Sequence, residues 1–191
     1  ILKLGSCACD PPRMAEGRLS SAACLPRRRL PFSAVNRCGM PGHDPALQKH
    51  HLLPCQLLSR SCFAAMFETL DARRICFNDF RRNGLLLPAR EEAAQRLALP
   101  LHRGPHRTYN QMVIQRVGEI ERGWSRLAAR SPGLAAETAL MRLALLQRAL
   151  RRRLLDHRRP LRLNRSDRLG KEVDFSELDA MADSLWRATA P

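Results

Sequence analysis

Histidine is the side chain that most readily moves a proton or holds a metal ion near neutral pH, and this 191-residue chain has six. His43 and His157 stand alone in polar company and read as surface residues. The other four form two clusters, the doublet His50-His51 and the pair His102-x-x-x-His106. A catalytic metal site needs about three converging protein ligands and one open position. Four-residue spacing on a helix puts two imidazoles on one face about 6 Å apart. Gly104-Pro105 between them works against a helix, although proline is tolerated in a first turn. Adjacent side chains of an extended segment point to opposite faces, so His50 and His51 do not easily share one ion. One can bind metal while the other faces a substrate as a neutral general base for water. The metal would act as Lewis acid on a phosphoryl oxygen and stabilise the leaving oxygen. A zinc protease is disfavoured, because His102-Arg103-Gly104-Pro105-His106 lacks the glutamate of H-E-x-x-H.

Charge points toward a polyanionic partner, with solvated arginine faces of a basic, GC-rich background as the alternative. Lysine and arginine total 33 against 18 acidic residues, a net +15, and only Lys3, Lys49 and Lys171 are not arginine. Such a field attracts polyanions, and arginine grips phosphate bidentately. Arg103 and Arg107 flank the second histidine cluster as candidate phosphate clamps, and Arg151, Arg152 and Arg153 form a basic run for nucleic acid. No apolar run approaches the ~18 to 20 residues that span a bilayer, which argues against a transmembrane helix. None of the seven cysteines has zinc-ribbon spacing. Cys55 and Cys62 lie in an apolar stretch and read as buried thiols, and a reducing, cytoplasmic compartment fits.

These residues need elements to position them. Residues 1–43 are rich in Pro, Gly, Ser and Arg and read as a flexible basic arm or linker around Arg27-Arg28-Arg29. Residues 44–130 read as the functional core. Gln48 to Pro54 is a short apolar segment. Leu57 to Leu70 is expected as a helix with Leu58, Cys62, Ala65, Met66 and Leu70 on its apolar face. Asn83-Gly84 signals a turn before a short buried strand at Leu85-Leu86-Leu87-Pro88. One or two helical turns follow at Glu91 to Leu97, then a helix from Tyr109 to about Ala129 with Val113, Val117, Ile120 and Trp124 on one face. Residues 131–191 read as an Arg-rich helical extension. Ser131-Pro132 opens its long helix, with Leu143, Leu146, Leu150 and Leu154 in the stripe, and a last short helix is expected from Ser176 to Trp186.

Three blocks in order carry a resemblance: Lys49-His50-His51-Leu52-Leu53-Pro54, then Asn83-Gly84-Leu85-Leu86-Leu87-Pro88, then His102-Arg103-Gly104-Pro105-His106-Arg107-Thr108-Tyr109-Asn110. Over residues 44 to 120 the chain resembles the AHH nucleases of the HNH/endonuclease VII superfamily, found in bacterial polymorphic toxins. The resemblance implies an α+β, mostly helical fold with a ββα-metal core, two short antiparallel strands and a helix clasping one ion. By motif, His51 is similar to the general base and His50 to a metal ligand. His102 and His106 resemble the ligand pair carried by the helix of that core. Asn83 resembles the middle asparagine that braces the catalytic strand, and Asn110 a further ligand or orienting group. Lys49 stands where the family name expects alanine.

The resulting expectation is a metal-dependent endonuclease acting on DNA in preference to RNA, with one divalent ion (Zn, Ni, Mn or Mg) as cofactor. The resemblance adds a toxin module with an immunity protein as partner, either cytoplasmic or delivered into a target cell. The alternative is a non-catalytic nucleic-acid-binding protein whose histidines hold a structural zinc. A weaker third reading makes the basic helices a membrane-surface or partner-docking element.

Overall fold

The computed structural model describes residues 28–159 and 161–163, with Ala180, Met181, Ser184 and Arg187 beyond them. In chain order the elements are a 3-10 turn at Phe32–Ala34, strand β1 (Leu47–His51), a 3-10 turn at Cys55–Ser59, then α1 (Ser61–Leu70), α2 (Ala72–Ile75), α3 (Phe80–Asn83), β2 (Gly84–Pro88), α4 (Glu91–Leu97), α5 (Arg107–Ala128) and α6 (Pro132–Leu154). The fold is mostly helical, around one two-stranded sheet.

β1 and β2 run antiparallel, with Leu47 opposite Pro88, His50 opposite Leu85 and His51 opposite Gly84. Opposed residues share a face, and faces alternate along each strand. His50, Gln48, Leu85 and Leu87 therefore lie on one face, and Lys49, His51, Leu86 and Gly84 on the other. Leu85 and Leu87 are buried and tie the first face to the core.

Beyond His51 the ladder continues through Asn83. Its backbone oxygen accepts from Leu52 N at 2.8 Å, and its Oδ1 accepts from Leu53 N at 2.7 Å. Its Nδ2 donates to Leu53 O and Phe77 O, both at 3.1 Å. Asn83-Gly84 is thus a helix-to-strand junction rather than a hairpin turn: thirty-odd residues separate the paired strands, and three helices fill the gap.

α5 and α6 form an antiparallel pair whose facing stripes, Val113, Val117 and Ile120 against Leu143, Leu146 and Leu150, enter one core with Leu52, Leu53, Leu57, Phe63, Met66 and Leu70. Pro132 occupies the first turn of α6 as expected, but the side chain of Ser131 makes no capping bond.

Two expectations around α1 are corrected. The helix begins at Ser61, after a separate 3-10 turn. Its buried face is Phe63, Met66, Phe67 and Leu70, while Leu58, Cys55 and Cys62 are exposed. The break at Arg60 rotates the helix, and bulky phenylalanines win the interior over small thiols.

Contacts cross both boundaries drawn from composition. Phe80 N donates to Leu30 O at 2.7 Å, Leu30 N donates to Asp79 Oδ1, and Phe32 is buried. On the other side, α6 shares the core with α1 and α5. The helix expected at Ser176 to Trp186 lies largely outside the described residues, as do Cys7, Cys9 and Cys24.

Gly84 couples the sheet to the aromatic side chains beside it. A Cβ there would sit within 2.6 Å of three atoms of the Phe80 ring. Overpacking of this kind costs about 1–3 kcal/mol. Gly84→Ala is therefore expected to lower unfolding free energy by about that amount in urea titration, with a smaller loss in a Phe80→Ala background. Equal losses in both backgrounds would show that the ring is not the obstacle.

Candidate metal centre

Three segments bring three histidines together. β1 presents His50 inward, and the ring is 2% exposed. The chain after β2 turns back so that His102 N donates to Pro88 O at 2.7 Å, which carries His102 to the sheet. His106 sits at the N-cap position of α5, and Gly104, at φ +64°, makes the turn between the two. Glycine suits that left-handed backbone. The expected placement of His102 and His106 on one helix is corrected: both precede it. Gly104-Pro105 bars a helix there, and the reversal at glycine brings the rings together instead.

The imidazole centroids lie 5.1 Å apart for His50–His102, 5.1 Å for His50–His106 and 4.4 Å for His102–His106. One nitrogen from each ring falls within 4.8 Å of the others. Both nitrogens of His50 and Nδ1 of His106 are buried without a hydrogen-bond partner. Buried polar atoms in that state are destabilising unless something else satisfies them. Three converging imidazoles, two of them with buried unpartnered nitrogens, fit a divalent transition metal, and imidazole suits Zn²⁺ or Ni²⁺.

Electrostatics keep the cluster neutral. Burial, followed by the neighbouring His102, His106 and His51, lowers the pKa of His50 to about 2. Burial and then His106 lower that of His102 to about 4. Burial lowers His106 and His51 as well. Neutral imidazole is the form that ligates metal, so at pH 7 no proton need be displaced.

Tyr109 backs the cluster. Its ring is fully buried 4.8 Å from that of His50, and its hydroxyl donates to Leu52 O at 2.8 Å. This is helix packing rather than a surface for stacking a base. Gln48 Oε1 lies 3.0 Å from His102 Nδ1. If Nδ1 carries the proton, Nε2 is left to face the cluster. The period of two along β1 places Gln48 with His50, so this partner was available from the spacing.

His51 points the other way. Its ring stacks on Phe32 at 3.8 Å and 4°, and Phe32 meets Phe80 edge-on at 5.1 Å. No local pattern marks Phe32, 19 positions before the residue it touches. Lys49, on the same face of β1, donates from Nζ to Phe32 O at 3.2 Å.

The remaining candidates are spread more widely. Asn83 is fully buried behind the doublet and also accepts from Gln147 Nε2 of α6 at 3.3 Å. Asn110 lies one turn into α5, where Nδ2 donates to Gln56 Oε1 at 3.4 Å and Oδ1 is buried without a partner. Arg103 is exposed and pairs with Glu91 at 3.4 Å, and Arg107 is exposed at the start of α5. Arg151 is half-buried and donates to Arg81 O at 2.8 Å. Arg152 is exposed, and Arg153 bonds Arg159 O. The three arginines at the end of α6 do not join the histidine cluster.

The AHH family model, described as a nuclease family of the HNH/ENDO VII superfamily with conserved AHH, matches residues 32–150. No curated protein and no solved structure matches the chain.

A pH dependence follows from the cluster. An imidazole whose folded pKa lies below its unfolded value of 6.5 binds fewer protons folded than unfolded. Its neutral burial is unopposed above pH 6.5, and stability falls as pH drops from there toward the folded values. Metal-free protein should lose thermal stability between pH 7 and pH 5, and His50→Leu should flatten that slope. A melting temperature independent of pH over this range would contradict a buried neutral cluster.

Proposed function

The chain belongs to the AHH family of nucleases in the HNH/endonuclease VII superfamily, and from that premise we propose that it is a metal-dependent endonuclease hydrolysing phosphodiester bonds, with DNA as its main substrate. The observation that carries the proposal is the split of the doublet: His50 faces two other histidines with both ring nitrogens unpartnered, while His51 faces away.

His50, His102 and His106 would hold the divalent ion, and Asn110 Oδ1, four residues after His106 and buried without a partner, would be a further oxygen donor. When bound, the ion supplies Lewis acidity at a phosphoryl oxygen and at the departing oxygen. His51 takes the proton of the attacking water at a ring nitrogen. Burial keeps its imidazole neutral near pH 7, and stacking on Phe32 fixes its plane. Asn83 braces the strand by holding both polar groups of Leu53, two residues after the base. Arg103 and Arg107 offer their guanidinium groups to the phosphate next to the His102–His106 loop. As its setting we propose a toxin module delivered into a target cell and held in check in its producer by an immunity protein.

In a plasmid-nicking assay with added Zn²⁺, Ni²⁺, Mn²⁺ or Mg²⁺, His51→Ala should cut about 10²- to 10⁴-fold more slowly while retaining metal by calorimetry. His50→Ala and His102→Ala should lose metal affinity together with cleavage. If the parent and His51→Ala both keep metal and bind DNA, yet neither cuts, the histidines form a structural site on a DNA-binding protein.

A separate consequence concerns Asn83. Asn83→Ala leaves Leu53 N–H and Phe77 C=O buried without their partner, at about 1–3 kcal/mol for each group. A fall in urea midpoint with unchanged m-value is expected. An unchanged midpoint would remove Asn83 from its bracing role.

A further inference from the structure

Four exposed arginines and the half-buried Arg151 lie at the corner made by α2, α3, the Arg28–Pro31 segment and the end of α6. We infer that Arg28, Arg29, Arg73, Arg81 and Arg151 form a preordered track that carries the backbone of a nucleic acid to the His51 face of the site. The inference deepens the nuclease reading and rests on it.

The ordering comes from bonds between distant segments. Arg81 Nη1 donates to Arg28 O at 2.9 Å, Arg151 Nη2 to Arg81 O at 2.8 Å, and Arg29 Nη2 to Arg73 O at 3.0 Å. A solvated arginine face does not join residues 53, 70 and 44 positions apart in this way. The acceptors are neutral carbonyls, so each guanidinium keeps its charge and most of its five donors. None of the five arginines forms an ion pair among the described residues. Nearby carboxylates are engaged elsewhere. Asp79 is buried and accepts from Leu30 N and Arg81 N, Asp71 accepts from Arg73 N, and Glu137 pairs with Arg74 at 2.7 Å.

Geometry ties this corner to the proposed base. Arg81 follows Phe80, whose ring meets Phe32, and Phe32 stacks on His51. Lys49 adds a cation on the same strand face as His51. Arg103, by contrast, pairs with Glu91 next to the metal-side histidine His102. A polyanion drawn to the arginine corner therefore reaches the face from which His51 acts. The guanidinium groups of Arg29, Arg81 and Arg151, held in place, with Arg28 and Arg73 anchored at their backbones, fit the repeated phosphates of a nucleic-acid strand.

The side chains of Arg28 and Arg73 take no part in the carbonyl bonds, which use only their backbone oxygens. Arg28→Gln/Arg73→Gln thus removes two charges and leaves those bonds intact. Arg126→Gln, exposed near the end of α5, removes one charge away from the corner and gives the loss expected per charge. In fluorescence anisotropy with a short DNA duplex, the double variant should bind about tenfold or more weakly, with the slope of log K against log salt reduced by about two. Arg81→Gln should weaken binding further, and Arg126→Gln should change little. Hydrolysis of bis(p-nitrophenyl) phosphate, too small to span the corner, should be unchanged in Arg28→Gln/Arg73→Gln. The track is overturned if the double variant loses no more than twice the log K lost by Arg126→Gln. It is overturned equally if its salt slope equals that of the parent. A parent that hydrolyses neither DNA nor the small diester in any of the four metals overturns the nuclease reading, and the anisotropy comparison then decides the track alone.

Discussion

The five-residue pairing of β1 with β2 assigns the two adjacent histidines to different environments. With His50 opposite Leu85 and His51 opposite Gly84, the period of two sends the first ring into the core and the second onto the Phe32 face. A slip of one residue would exchange them and separate the histidine cluster. The register is pinned at both ends. Asn83 holds Leu52 and Leu53 at one end, and at the other Ala89 N donates to Ala46 O while Asn36 Nδ2 reaches Leu47 O. Gly84 belongs to the same constraint, since any side chain there would displace Phe80, and with it the ring stacked on His51.

The register brings three imidazoles into an environment that favours none of them as a cation. Leaving His50 without a hydrogen-bond partner is unfavourable, and the surrounding apolar contacts offset it. Tyr109 packs on its ring, and Leu85, its partner across the sheet, is buried. Burial lowers the pKa of each ring in the cluster, and the neighbouring imidazoles lower those of His50 and His102 further. Metal binding by neutral ligands would recover part of what isolated burial sacrifices, which is why affinity and folding stability are linked in such sites.

Much of this was legible in the residue pattern wherever a local rule dominated. The strand at Leu85 to Pro88, α4, α5 and most of α6 follow from periodicity, and the division of the His50-His51 doublet follows from strand geometry alone. The failures share one cause, contacts between segments distant in sequence. Periodicity chose Cys62 and Ala65 for the buried face of α1, where the core took Phe63 and Phe67. Spacing suggested a helix for His102 to His106, where the hydrogen bond to Pro88 and the turn at Gly104 decide the path. Phe32 lay in a stretch read as a free arm by composition, yet it supplies the ring against His51. Gln147, one polar residue in an apolar stripe, carried a signal of its own, because a buried amide needs partners, and it finds Asn83 and Ile75.

That last contact bears on what α6 is for. Gln147 meets Asn83 Oδ1, the same atom that accepts from Leu53 N, so the helix touches the brace behind the doublet rather than the doublet itself. Four residues later on α6, Arg151 meets the carbonyl of Arg81, two residues before Asn83. α6 therefore holds α3 from two directions, by a buried amide on its inner face and by a half-buried guanidinium at its edge. Because α3 runs directly into β2, the position of this helix is transmitted to the strand pairing on which both histidine faces depend. The basic character of the helix end and the support of the site are consequently parts of one arrangement. Arg151 orders the α3 corner through a neutral carbonyl, so the contact that helps to fix the strand leaves its positive charge at that corner.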